Sequence, residues 1–554
     1  MNYCQSGGGQ GWHHRGAFLY APAERALSSS DGHGVQDSYI IVLSANRPWD
    51  RTDNFVSVKI MMDMTKERHY LAVDLGATSG RTILATFDGK KIRMKEVSRF
   101  ANPMIPLGGH LYWDIAALYN EIIKSLREVT ASGIILTSIG IDTWGCDFAF
   151  FGKDGRLMGL PHCYRDPHTA GSQEEFFKKM PSEEVYKHTG IQFMDFNSLF
   201  QLDTLKREGC ETLEHADKIL FIPDALMYML TGEAVCEYTV ASTSQMLNPV
   251  KGDLDESILD ALGIPREKFG RMVLPGTVIG QLSAQVQEET GAGPINVVAV
   301  AGHDTGSAVA AVPATDHEYA YLSCGTWSLL GIESPHPIIN ETSFRYNFTN
   351  EGGIEGTTRF LKNICGLWIF EQCRKEFRNA PSSVGELVAS CQTSEYDGLI
   401  DPDDPCFTNP ASMTKAIDEY CTMTGQNTPS TYGDYCRCIF RSLAMKYRLV
   451  IGILECMASF PIKRLNVIGG GAQNRYLMQY AANALKMPVI CGPVEGTALG
   501  NVLMQAKASG CMDSLRQMRE VCSASTEVTT YLPINSEKWD LEYKRFLDIT
   551  KRRN

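Results

Sequence analysis

One device occurs twice in this chain and constrains its fold more than any other feature. "DLGATSGR" at residues 74–81 and "SCGTWSLL" at 323–330 each follow an apolar run and open onto another. Each reads as strand, tight glycine turn and strand, because alternating apolar residues fit a pleated sheet and glycine relieves the turn. A chain of 554 residues is too long for one ordinary core. The same turn placed in each half predicts two related lobes around a cleft, the alternative being a chance recurrence of a Gly-Thr turn.

The flanking segments supply the rest of an α/β architecture. "HYLAVDLGATSGRTILATF" from His69 forms the first hairpin, and "DGKKIRMKEVSRF" continues the meander through an Asp88–Gly89 turn. Ile115, Leu118, Ile122, Leu126 and Val129 then recur at helical spacing behind Asp114, a natural cap. "IILTSIGIDTWG" returns to a buried strand. In the second half "RLNVIGGGAQNRYLMQYAANAL" reads as strand, triple glycine and helix, and "PVICGPVEGTALGNVLMQAKASG" as strand, loop and helix. Residues 1–66 differ. "CQSGGGQGWHHRG" and "LSSSDGHG" are Gly/Ser-rich without a sustained period, so this stretch is expected to be a disordered extension or the result of a start codon set too far upstream.

Composition narrows the function. The formal net charge of −12, from 52 basic and 64 acidic residues, comes with no basic block, which argues against a nucleic-acid footprint. An anionic ligand must then be held by local donors. No apolar run is long enough to span a bilayer, and no secretory pattern opens the chain. The 17 cysteines are scattered without a CxxC pair or metal-type spacing, which points to a reduced, cytoplasmic protein.

A phosphate is met by backbone N–H groups at close range, and a Cβ on the turn obstructs that approach. In "LGATSG", Gly76 and Gly80 flank the Thr78 and Ser79 hydroxyls. Arg81 adds a charge for phosphate oxygens, and Asp74 is placed to hold Mg²⁺ through its water shell. A plain hairpin turn reads equally from the same residues. "VIGGGAQN" at 467–474 lacks the GxGxxG spacing of a dinucleotide fold, and no GxxxxGK[ST] loop occurs anywhere. Its glycines can let a purine lie against backbone, or simply loosen a strand-to-helix turn. "AGHDTGSAVAAV" at 301–312 sets His303 and Asp304 before a run of small residues. Asp304 can cap that helix, or serve as an ionised base at its start.

Taken in order, these motifs resemble the FGGY family of carbohydrate kinases. "DLGATSGR" is similar to that family's first phosphate loop, "LSCGTWSLL" to its second, "VIGGGAQN" to its adenosine motif and "GPVEGTALGN" to its C-terminal signature. "SIGIDTWGCDF", "GLPHCYRD", "GIQFMDFNSLFQL", "HDTGSAV" and "FLKNICGLW" resemble the members that act on L-rhamnulose. The resemblance runs from His69 to the C-terminus. It implies two actin-like (ribonuclease H-like) lobes, each a mixed five-stranded sheet flanked by helices, over residues 67–313 and 314–545. It also implies MgATP as donor and phosphorylation of L-rhamnulose at the 1-hydroxyl, in L-rhamnose catabolism. The enzyme would be a monomer or homodimer without a nucleic-acid or membrane partner.

Carried over by position, the resemblance makes Asp304 the catalytic base. It sets Gly145, His303, Thr305 and Asn363 on the sugar. ATP falls to Ala77, Thr78, Ser79, Gly80, Arg81, Thr326, Glu371 and Gly470, and Mg²⁺ to Asp74. Glu371 departs from the pattern, which often has a glutamine there. The small run Gly306-Ser307-Ala308 is expected to let the helix end approach the triphosphate. Trp144, Phe148, Phe193 and Phe196 offer either walls for a methyl group or core. Two rivals stay open: a kinase for another ketose, such as L-fuculose or a pentulose, and an ATP-regulated binding protein without transfer chemistry. Asp304 beside His303 speaks against the second.

Overall fold

The computed structural model describes residues 67–551, so the extension expected over residues 1–66 lies outside the described residues. β1 (Arg68–Leu75), β2 (Ser79–Phe87) and β3 (Ile92–Ala101) form the antiparallel meander, with Leu75 facing Gly80 across the first glycine turn. Asp114 caps α1 (Ile115–Ala131) by accepting the Ala117 N–H at 2.9 Å, and the apolar stripe of that helix is buried. β4 (Leu136–Thr143) returns parallel to β1. β5 (Thr277–Gln281) and β6 (Asn296–Ala299) complete a six-stranded sheet ordered β5-β6-β4-β1-β2-β3. A short helix, α2 (Asp304–Ala310), then leads out of this lobe.

The second lobe repeats the plan. β7 (Ala320–Cys324) and β8 (Trp327–Ser334) pair antiparallel around the second glycine turn, and β9 (Thr349–Gly352) and β10 (Thr358–Cys365) extend that side. α3 (Trp368–Glu376), α4 (Tyr432–Glu455) and α5 (Arg475–Leu485) contribute Ile369, Ile439, Phe440 and Leu477 to the core. β11 (Leu465–Ile468) and β12 (Val489–Cys491) add parallel strands beside β7, and β13 (Thr529–Tyr531) closes the edge. The order is β9-β10-β8-β7-β11-β12-β13.

Five strands correspond in order and direction: β3-β2-β1-β4-β6 in one sheet and β10-β8-β7-β11-β12 in the other. The five-stranded expectation is this shared set, and the sheets themselves hold six and seven strands. The additions are edge strands. β9 and β13 are only four and three residues long, too short to show a period.

The C-terminal segment also departs from a simple split at 313/314. α6 (Gly496–Ala508) and α7 (Leu515–Ser525) return to the first lobe. Leu499, Val502, Leu503 and Met518 share a core with Tyr70, Ala72 and Ile83. Gln505 Nε2 donates to the Leu71 carbonyl at 3.0 Å, and its Oε1 accepts from Ser138 Oγ at 2.7 Å. Residues 496–525 therefore cover the first sheet although they follow the second in sequence. α6 meets α2 backbone to backbone: a Cβ on Gly500 would lie 1.8 Å from the Ser307 carbonyl oxygen. The two helices touch at Ser307, so close helix packing is a second use for the small residues beside the expected approach to a triphosphate. No described helix is long and apolar enough to cross a membrane.

Candidate active site

Parallel register brings acids together. Asp74 on β1 lies opposite Asp142 on β4, and Thr143 bridges to His303. Neighbouring strands run about 4.8 Å apart, so Asp74, Asp142 and Asp304 line one edge of the first sheet. Glu495 joins them from the loop before α6. Arg81 Nε and Nη2 donate to Asp74 Oδ2 at 2.9 and 2.7 Å, and its Nη1 pairs with Glu495. Arg81, expected on phosphate, is thus engaged by two carboxylates.

Asp74 and Glu495 pair with this one arginine, and Asp142 and Asp304 add further negative charge beside them. Burial pushes Asp142 well above the usual carboxylate range, and repulsion from Asp74 and Asp304 adds to it. Burial also raises Asp74, against the pull of Arg81. Asp142 Oδ2 accepts from Asn501 Nδ2 at 2.6 Å, while Oδ1 is buried without a hydrogen bond. A divalent cation would relieve both the repulsion and the orphaned oxygen, so the residues present fit one. Sequence reasoning missed Asp142, although "GID" ends its strand as "VDL" ends β1.

Asp304 is held by one oxygen. Its Oδ1 accepts the Thr305 N–H at 2.5 Å and the Thr305 hydroxyl at 3.1 Å, and lies 3.4 Å from His303 Nε2. No described residue hydrogen-bonds Oδ2, and the side chain is 32% exposed. Thr305, expected on the sugar, also fixes the acid. His303 is set from the second lobe. Fully buried Arg359 on β10 donates from Nη2 to His303 Nδ1 at 3.1 Å, which leaves the ring proton on Nε2, towards Asp304. Glu351 on β9 pairs with Arg359 Nη1 at 3.0 Å. Burial raises the Glu351 carboxyl, but the Arg359 guanidinium overcomes it and holds the group below its ordinary value.

The remaining sugar-side residues lie beside this core. A Cβ on Gly145 would meet Thr243 Oγ1 at 2.8 Å, and Cys146 follows at φ +72° with its N–H on the same hydroxyl. Gly145 is two residues beyond Thr143, so it accompanies His303. Asn363 donates from N and Nδ2 to Gln192 Oε1 at 3.0 and 3.1 Å. Asn197 Nδ2 in turn donates to the Gln192 carbonyl and to Gln245 Oε1. Gln192 and Asn197 fall within "GIQFMDFNSLFQL", but nothing in the sequence marked them and Gln245 as one set of linked amides; all three come from the segment inserted between β4 and β5. Of the aromatic residues, Trp144 and Phe148 are core, and Phe193 packs on Phe177 and Phe344. Phe193 thereby reaches the second lobe, and Phe196 does so as well, its ring centroid 6.4 Å from that of Trp327.

The expected ATP loops are shaped as follows. Asn102 pins the first by hydrogen bonds to the Gly76 and Thr78 carbonyls, both 3.0 Å, which leaves Thr78 exposed and Ala77 and Ser79 partly so. Gly80 has another reason to be glycine: a Cβ would sit 2.4 Å from the Phe100 ring. Thr326 is exposed, and its carbonyl accepts the Gly366 and Trp368 N–H groups at 3.2 and 3.1 Å. In the triple glycine, Gly469 and Gly471 press on Cys324, while Gly470 faces open space. Cys324 precedes Gly325 and Thr326, so the second loop and Gly470 are neighbours. Glu371 stays on its own helix, paired with Arg374 at 2.7 Å.

Comparison with known proteins agrees with this geometry. The N-terminal domain model of the FGGY family of carbohydrate kinases matches residues 69–311, and the C-terminal domain model matches 320–509. A rhamnulokinase of Bacteroides thetaiotaomicron is 52% identical over 88% of this chain and 100% of its own length. One from Pectobacterium atrosepticum is 40% identical over 87% and 97%. Gluconate kinase of Lactobacillus acidophilus shares the fold at TM-score 0.73 and 15% identity, over 88% of this chain and 98% of its own. Xylulose kinase of Rhodospirillum rubrum does so at 0.72 and 17%, over 88% and 99%. Two lobes of one plan, acids gathered at the sheet edge and matches along both halves lead to one conclusion: the chain belongs to the FGGY family of carbohydrate kinases.

Proposed function

We propose that this enzyme transfers the γ-phosphoryl group of ATP to the 1-hydroxyl of L-rhamnulose, giving L-rhamnulose 1-phosphate and ADP in L-rhamnose catabolism. The observation that carries the chemistry is Asp304, fixed through Oδ1 and open at Oδ2. Oδ2 accepts the hydroxyl proton as the oxygen attacks phosphorus. Thr305 and the His303 Nε2–H hold the carboxylate still meanwhile, with Arg359 and Glu351 setting the ring. Phosphoryl transfer asks the protein mainly for position and charge. Asp74 would hold Mg²⁺ through water, with Asp142 behind it, and the metal would take up phosphate charge. Ala77 to Arg81, Thr326 and Gly470 present backbone and hydroxyl donors to the nucleotide, Arg81 exchanging its carboxylate partners for phosphate oxygens.

Gly145, His303 and Asn363 line the sugar end, with Phe196 against Trp327 suited to the methyl group of a 6-deoxy ketose. The choice of ketose rests on the relatives named rhamnulokinase. We place the reaction in the cytoplasm, where ATP and a phosphorylated sugar are retained, carried out by a monomer or homodimer. A coupled ADP-release assay over ketoses, aldoses and glycerol tests the reading. L-rhamnulose should give the highest kcat/KM, and an analogue with a C6 hydroxyl should lose about 1–3 kcal/mol of discrimination. A preference for glycerol or D-xylulose would overturn it.

A further inference from the structure

Outside the cleft, three imidazoles and a carboxylate converge beside the small hairpin Ile105–Leu107/His110–Tyr112. One ligand atom from each of His110, His162 and Asp166 lies within 4.8 Å of the others. His110 Nδ1 is 3.2 Å and His162 Nδ1 3.4 Å from the same oxygen, Asp166 Oδ2. The His168 ring stacks on His162 with centroids 4.6 Å apart, and both of its nitrogens are buried without a hydrogen bond. The backbone brings these residues together: Tyr112 bridges His162, and the Cys163 N–H donates to the Leu111 carbonyl at 2.9 Å.

Ordinary His–Asp hydrogen bonds describe this cluster poorly. Asp166 Oδ2 already accepts the Leu111 N–H at 2.7 Å, and the two imidazole contacts are longer than the usual N–H···O distance of about 2.9 Å. They match something else. Four ligands about 2.0–2.1 Å from a tetrahedral Zn²⁺ stand roughly 3.3 Å from one another. The Leu111 and His168 N–H groups, at 2.7 and 2.9 Å, lock the carboxylate in orientation, as groups behind a metal ligand do. An imidazole-rich set with one carboxylate selects Zn²⁺-class cations over Mg²⁺.

We propose that His110, His162 and Asp166 bind a divalent transition cation of the Zn²⁺ class, with His168 as the adjoining third imidazole. The ion would tie the hairpin to the loop that carries Tyr164 and Arg165. Arg165 stands over the Trp368 ring of α3 at 4.7 Å, so the clamped loop is also one that touches the second lobe.

The test uses the full chain, stripped with a chelator and titrated with ZnCl₂ in excess Mg²⁺ by calorimetry and thermal shift. One Zn²⁺ should bind per chain and raise Tm, and Co²⁺ in its place should give the visible bands of a four-coordinate site. The double variant H110Q/H162Q should lose at least about tenfold in affinity. His168→Ala serves as the second variant, since its ring makes no hydrogen bond whose loss could unfold the chain; it too should weaken binding. Loss of Zn²⁺ affinity in either variant supports the site. Equal binding by all three chains, no Zn²⁺ binding by the parent, or displacement of Zn²⁺ by Mg²⁺ overturns it.

Discussion

Replacing Gly500 with alanine asks what holds the base in register with the acids. The added Cβ would stand 1.8 Å from the Ser307 carbonyl oxygen and 2.6 Å from its carbon. Ordinary contact begins at 3.4 Å, so the helices must part by roughly 1.6 Å. Both obstacles are backbone, and no rotamer change relieves them. α2 begins at Asp304, and α6 carries Asn501, which holds Asp142 at 2.6 Å. Parting the helices therefore shifts the base against the acids. Over-packing of this kind costs about 1–3 kcal/mol, against a helix-propensity gain of about 0.5–1 kcal/mol from Gly to Ala, so the net effect is destabilising. A displacement near 1 Å can lower kcat by about 10²-fold. The assay is steady-state ADP release with kcat and both KM values, alongside Tm. Gly452→Ala in α4 is the control, because its Cβ meets nothing within 4 Å; it should gain up to about 1 kcal/mol and keep its kcat. If Gly500→Ala matched the parent in both Tm and kcat, the helix contact would not be what positions Asp304.

Asp304→Asn should retain ATP binding yet slow transfer by about 10²–10⁴-fold; near-normal kcat in steady-state assays would remove Asp304 from its role. Burial lifts the Asp147 carboxyl to about 6, although Trp113, Gln201, Trp144 and the Tyr164 N–H all donate to it. A raised carboxyl pKa means that the folded chain binds the extra proton between about pH 4 and 6, so Asp147 weighs against folding above that window and less within it. The parent's stability relative to Asp147→Asn should therefore rise as pH falls from about 7 to 4.5, by about 2 kcal/mol; a flat difference in denaturation midpoints would contradict this. Donor loops on both lobes imply closure on substrate, so small-angle scattering should show a more compact particle with sugar and a non-hydrolysable nucleotide. An unchanged radius at saturation would argue for a preset cleft.

The sequence alone carried whatever depends on near neighbours. The two glycine-turn hairpins, the Asp114 cap and the stripe of α1 follow from alternation, helical spacing and a capping side chain, each read within a few residues. The two-lobed plan followed because the same local pattern occurs twice. The residues around Asp304 left it a helix cap or a base, and only the family resemblance chose the base.

Other features needed the folded chain. Gly80 is also required by Phe100, and the small residues of α2 pack on Gly500, far along the sequence. Arg81 was read as a phosphate ligand before its partners Asp74 and Glu495 were visible. Arg359 and Glu351 lie outside every motif, and Asp142 and Gln192, though inside one, matter through what lies opposite them. Parallel strand register and the return of residues 496–525 to the first sheet are decided by pairing and burial between distant segments. Local propensity is written in each residue and its neighbours. Which acid faces which, and which backbone touches which, is settled only when the apolar faces of both sheets find cover.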